Sequence, residues 1–60
     1  MFIELHREGQ IDPVYVNSEQ IEGFQQDEDD KTTTIWMNSG GYYCVTETPD
    51  EILNSIFGVY

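Results

Sequence analysis

The chain has 60 residues and a formal net charge of -10, from 12 acidic and two basic side chains. This length predicts a single domain, 1–60, with a small core, and Cys44 as the sole cysteine excludes an internal disulfide. So few cations exclude a protein that neutralises nucleic-acid phosphates or an anionic membrane surface. We find no basic-then-apolar leader and no apolar run of about 20 residues, so we expect a cytoplasmic protein.

Two β-strands are predicted near the start of the chain. Phe2 to Arg7 alternates in character, with Ile3 and Leu5 on one face, which is typical of a strand with one buried side. A turn containing Gly9 follows, because glycine readily takes a positive φ. Val14–Val16 then forms a second strand with both valines on one face.

A weaker strand follows the first two. Residues 17–20 form a break that could hold one helical turn, and 21–26 predicts a bent strand. Gly23 inside that strand indicates a bulge or a close approach of the backbone. The acid-rich segment 25–31 predicts an exposed loop.

A hairpin is the clearest strand signal. Thr32–Met37 is rich in threonine, isoleucine and tryptophan, which favour sheets, and Tyr42–Glu47 returns along it. Asn38–Gly41 predicts the turn between them, since its two glycines can take the positive φ that hairpin turns need.

A C-terminal helix is predicted by its capping residues. Thr48 can cap the free amides, Pro49 suits the first helical position, and Glu51 can complete a capping box. Gly58 ends the helix. Its apolar stripe consists of Ile52, Leu53, Ile56 and Phe57.

These elements predict an α+β fold: a small antiparallel sheet of four to five strands with one C-terminal helix packed on one face. The helix and the inward strand positions supply the core. The predicted core residues are Ile3, Leu5, Val14, Val16, Ile21, Ile35, Met37, Tyr43, Val45, Ile52, Leu53 and Ile56.

A family resemblance covers nearly the whole chain. Its matching pieces are Ile3-Glu4-Leu5, Gly9, Val14-Tyr15-Val16-Asn17, Ile21, Phe24, Thr33-Thr34-Ile35-Trp36-Met37, Tyr43-Cys44-Val45-Thr46-Glu47-Thr48 and Asp50-Glu51-Ile52. In this order they resemble the FlbD-like family of small bacterial flagellar and swarming-motility proteins. Small phage and gut-bacterial proteins show a similar pattern. The resemblance implies a motility-related protein and brings no catalytic residues with it.

Catalysis and metal binding receive little support from the residues. His6 and Cys44, the only histidine and cysteine, could meet as a Cys–His pair, but no local sequence ties them together. A small sheet also has little room for a substrate cleft. The acidic run 27–30 could attract Ca²⁺ or Mg²⁺ but lacks the spacing of an EF-hand loop, so we interpret it as a solvated loop. We therefore expect no enzymatic activity, no cofactor and no specific metal site.

The outward face of the predicted sheet is partly aromatic, which is unusual for a face open to solvent. Aromatic side chains are enriched at protein interfaces, although cross-strand aromatic pairs also stabilise sheets and the segment 23–31 could fold over them. We take this face as a candidate interface. Its predicted members are Phe2, His6, Tyr15, Trp36, Tyr42 and Cys44.

Two hypotheses for function follow. In the first, the chain is a non-enzymatic interaction protein that binds a protein partner, or itself, through the aromatic sheet face. In the second, it is an acidic nucleic-acid mimic that inhibits a DNA- or RNA-binding protein through its carboxylates. In neither hypothesis does the chain bind nucleic acid or a membrane. An open sheet edge could also add a strand from a partner, but the sequence does not reveal which strand is the edge.

Overall fold

The computed structural model describes residues 1–28 and 31–58 and confirms the α+β class. Its elements follow one another along the chain without a long connection. They are β1 (Phe2–His6), β2 (Pro13–Asn17), a 3₁₀ turn (Ser18–Gln20), β3 (Ile21–Gln26), β4 (Thr33–Met37), β5 (Tyr42–Val45) and α1 (Pro49–Phe57). The predicted helical turn within 17–20 is thereby confirmed.

The strands form two antiparallel sheets, so the prediction of a single sheet of four to five strands is wrong. β1 pairs with β2 in one sheet, and the other has the order β3-β4-β5. The sheets meet at an isolated bridge between Arg7 and Val45, where the Thr46 N–H donates to the His6 C=O at 2.8 Å. Beyond this bridge the chain turns at Gly9, where φ is +78°, and leads into β2.

Both sheets contribute to one core. Its fully buried apolar residues are Ile3, Leu5 and Val16 from the first sheet, Ile35 and Val45 from the second, and Ile52 from α1. A helix of nine residues that fully buries one side chain cannot cover the apolar faces of five strands. The two sheets and the helix share the core instead, and among the strands α1 contacts β1 and β3 most.

The predicted core is confirmed except at Leu53, which is 41% exposed. Ile52 and Ile56, four residues apart on α1, face the core and turn Leu53 and Phe57 away from it. The sequence analysis also missed Phe24, which packs against the core from β3.

The predicted caps of α1 are present. Thr48 Oγ1 accepts a hydrogen bond from the Glu51 N–H at 3.2 Å, and the Glu51 carboxylate accepts one from the Thr48 N–H at 2.9 Å. Gly58 ends the helix in the left-handed region, with φ of +65°, and its N–H donates to the Asn54 C=O. Residues that are neighbours in sequence therefore define both ends of the helix.

The described part of the acid-rich segment begins as strand and not as loop. Gln25 and Gln26 belong to β3, so the exposed loop that was expected over 25–31 begins too early. Asp27 is half-buried and accepts hydrogen bonds from Thr32 Oγ1 at 2.5 Å and Thr34 Oγ1 at 2.8 Å. These hydroxyls lower the pKa of Asp27. Of the predicted acidic run 27–30, Asp29 and Asp30 lie outside the described residues.

Candidate interaction surface

The six residues of the predicted interface lie on the outer faces of two different sheets. Phe2, His6 and Tyr15 belong to the β1–β2 sheet, whereas Trp36, Tyr42 and Cys44 belong to the β3-β4-β5 sheet. The structure thus places on two sheets the residues that the sequence predicted for one. Their exposed aromatic members are Phe2 (69%), Tyr15 (61%), Trp36 (41%) and Tyr42 (66%).

Trp36 and Tyr42 form the more compact aromatic pair. They are direct cross-strand partners on β4 and β5, so their side chains share the outer face of the three-stranded sheet. The turn between the strands fixes this register: Gly40 has φ of +98°, and the Met37 N–H donates to the Gly41 C=O at 2.9 Å. We call this outer face the Trp36–Tyr42 surface.

The outer face of the first sheet is more polar. Tyr15 lies opposite Glu4 in the register, and its hydroxyl donates to Glu4 Oε1 at 3.3 Å. Phe2 lies opposite Asn17 rather than another aromatic residue. The aromatic residues of this sheet therefore do not form a cross-strand pair.

His6 is bound to Glu47 and not to Cys44. Glu47 Oε1 accepts a hydrogen bond from the His6 N–H at 2.9 Å, and Glu47 Oε2 lies 2.6 Å from His6 Nδ1. The hydrogen bond that the Glu47 carboxylate accepts from the ring raises the pKa of His6, desolvation opposes it with a smaller effect, and the charges of Glu47 and Glu4 raise the pKa further. Cys44 Sγ lies 3.9 Å from Thr34 Oγ1.

Sequence reasoning missed Glu47 because it is 41 residues from His6. The signal that could have indicated it is weak: a carboxylate placed directly before the Thr48 cap, at the end of a strand. Glu47 is half-buried, with 15% of its side chain exposed, which distinguishes it from the solvated acids of the surface. A half-buried carboxylate needs a partner of this kind, and His6 supplies it.

A site for chemistry on a small molecule is not apparent in residues 1–28 and 31–58. This part of the chain encloses no pocket, and its His, Cys, Asp and Glu side chains form no group of three or more that could hold a metal ion. None of its helices is long and apolar enough to cross a membrane. The features that a ligand could recognise are the exposed aromatic side chains and the acidic charge.

Fold and surface together define a small α+β protein whose clearest candidate site is an exposed aromatic patch. Over residues 2–60 the chain matches the family described as FlbD: Flagellar and Swarming motility proteins, and it belongs to that family. The resemblance predicted from the sequence is confirmed. Among curated proteins and solved structures, no match to the chain is found.

Proposed function

We propose that this member of a motility family binds another protein through the Trp36–Tyr42 surface and has no catalytic activity. The observation that carries the proposal is the exposure of two adjacent aromatic side chains, 41% for Trp36 and 66% for Tyr42, on one sheet face. Tryptophan and tyrosine dominate the energetics of protein interfaces, where truncating one central residue often costs about 2 kcal/mol or more.

The surface is also held in a fixed shape. Ile35 is adjacent to Trp36 on β4, Val45 lies on β5, and both are completely buried. The strands that carry the aromatic pair are therefore anchored from below by the core. A preorganised surface loses less conformational entropy on binding than a loop would, which favours affinity.

Charge favours a different protein over a second copy as the partner. Two copies of a chain with net charge -10 repel each other, whereas a basic surface is attracted from a distance. Family membership supports a partner in the flagellar or swarming machinery. Self-association through the same surface is the alternative outcome, and sedimentation of the purified protein distinguishes the two.

The net charge also supports a second candidate function, an acidic mimic of nucleic acid. In that case the carboxylates would bind a DNA- or RNA-binding protein and the aromatic residues would only stabilise the sheet. Binding would then be abolished by moderate salt and would not depend on Trp36. The first proposal predicts a different pattern: salt slows association without abolishing binding, whereas loss of Trp36 abolishes binding.

Complementation of a swarming strain that lacks its own copy tests the proposal. We expect Trp36→Ser to abolish swarming, because losing one central aromatic residue weakens binding by about 30-fold or more. The matched control is Phe57→Ser, which removes an aromatic side chain that is 70% exposed on α1. Circular dichroism of both variants checks that they fold. Normal swarming of a folded Trp36→Ser variant would contradict the proposal.

A further inference from the structure

Gly23 lies inside β3, next to the indole of Trp36 on β4. Its φ lies outside the positive region that favours glycine, unlike that of Gly9, Gly40 and Gly58. A Cβ atom built at Gly23 meets no atom within 4 Å, so no close packing demands a missing side chain either. Glycine weakens the interior of a strand, and here it lies at the irregularity in the β3–β4 register between Ile21 and Gly23, where the sequence predicted a bulge.

The position of Gly23 also shapes the outer face of the sheet. Trp36 has two cross-strand partners, Gly23 on β3 and Tyr42 on β5. Paired residues of antiparallel strands point to the same face, so a side chain at Gly23 would stand beside the indole. Its absence leaves an open notch next to Trp36, on the side away from Tyr42.

β3 is also an outer strand of its sheet. In the order β3-β4-β5 it pairs with β4, and no strand within residues 1–28 and 31–58 pairs with its other edge. The Met37 N–H points to β5, so alternation along β4 turns the backbone groups of Trp36 and Thr34 towards β3. The backbone groups of Gly23 and Gln25 pair with those of Trp36 and Thr34. By the same alternation, the N–H and C=O of Phe24 point to the other edge of β3.

We propose that the partner adds an extended, basic segment along the open edge of β3 and places a lysine or arginine side chain in the notch beside Trp36. This inference rests on the proposed function and names the chemistry of its partner. Backbone pairing at the edge supplies affinity, and the notch supplies specificity. Glu22 and Glu28, both exposed, lie in and just after β3, and the chain as a whole is strongly acidic. A cation over the indole face adds a cation–π attraction.

Gly23→Val tests the notch. Valine has open space at this position, and a thermal melt checks that the variant folds. The matched control is Gly41→Ala, where an added Cβ meets only Ser39 Oγ at 4.0 Å. The probe is a short fluorescent peptide of alternating arginine and valine, followed by anisotropy with the full chain.

Gly23→Val should lower peptide affinity by about tenfold or more, as the loss of one anchoring contact does, while Gly41→Ala leaves it unchanged. N-methylation of alternate peptide nitrogens, which removes the backbone donors, should lower it as well. Failure of the wild-type chain to bind the peptide, or equal binding by Gly23→Val, would overturn this inference. Loss of swarming in Trp36→Ser would still support the proposed function in either case. Peptide binding that is indifferent to Gly23→Val and Trp36→Ser alike would indicate general charge attraction and overturn this inference, whereas normal swarming of Trp36→Ser would overturn the proposed function.

Discussion

Glu47 connects three parts of the fold through one residue. Its carboxylate binds the backbone and ring of His6 on β1, while its C=O accepts a hydrogen bond from Thr33 Oγ1 on β4 at 2.7 Å. Thr33 is itself buried. Thr48, which directly follows Glu47, caps α1. The two sheets and the helix therefore meet at Glu47, close to the bridge that joins the sheets.

The His6–Glu47 contact predicts a pH dependence of stability. The pKa of His6 is raised above its ordinary value of 6.5 in the folded state, so protonated His6 stabilises the fold. This stabilisation is fully present below pH 6.5 and is lost as the pH rises through the folded-state pKa. Urea unfolding at pH values from 6.5 upwards measures the change in the free energy of unfolding. An NMR titration of the His6 ring measures its folded-state pKa.

Glu47→Gln is the matching variant, since it keeps the size of the side chain and removes its charge. The pKa of His6 should move back towards 6.5, and the free energy of unfolding should vary less with pH in this interval. A wild-type protein whose stability is constant across the interval would contradict the role given to His6. So would a Glu47→Gln variant that keeps the full pH dependence.

At the scale of elements, the capping of α1 is a local property and can be tested alone. We expect Thr48→Ala to lower the free energy of unfolding by about 1 kcal/mol, because it removes the acceptor for the Glu51 N–H. Thr46→Ala is the control, since Thr46 is exposed and precedes the helix. Urea denaturation of both variants makes the comparison. Equal losses for the two would show that the cap is not responsible.

The side of α1 that faces the core gives a second prediction. Leu5→Ala should destabilise the fold by about 2–5 kcal/mol, since Leu5 is completely buried on β1. Leu53→Ala makes the same chemical change at a side chain that is 41% exposed, and it should cost less than about 1 kcal/mol. The same denaturation measurement compares them. A loss at Leu53 as large as that at Leu5 would place Leu53 in the core after all.

Elements specified by neighbouring residues were predictable from the sequence. The capping box of Thr48 and Glu51, the end of the helix at Gly58 and the turn at Gly40 each depend on a few adjacent residues. Leu53 shows where such reasoning stops. On a short helix, the apolar stripe at Ile52, Leu53, Ile56 and Phe57 is wide enough to face the core in more than one rotation, and tertiary packing selects between them.

At the scale of the whole molecule, the arrangement of strands depends on contacts between distant residues. Nothing in the sequence near Arg7 or Val45 indicates that these two residues form a bridge between the sheets. Alternation showed which side chains of each strand share a face, and those assignments were correct for Trp36 and Tyr42. Alternation could not show that Phe2 and Tyr15 lie on another sheet, because it does not specify which strands pair with one another.

The acidic charge is distributed over this small surface, and several carboxylates have internal partners. Asp27 binds two threonine hydroxyls and Glu47 binds His6, so these acids stabilise the fold. The remaining charge gives the chain as a whole its acidic character, which would favour the basic partner proposed above. The cytoplasmic location and the absence of catalytic activity stay predictions from composition and residue pattern.

Photo-crosslinking from position 42 in living cells tests the central claim most directly. With benzoylphenylalanine in place of Tyr42, we expect one dominant crosslinked protein, and the product should disappear when Trp36→Ser is added to the same chain. The same photoreactive residue at Phe57, which is 70% exposed on α1, should not give that product. Equal crosslinking from positions 42 and 57, or a product that persists without Trp36, would contradict binding through the Trp36–Tyr42 surface.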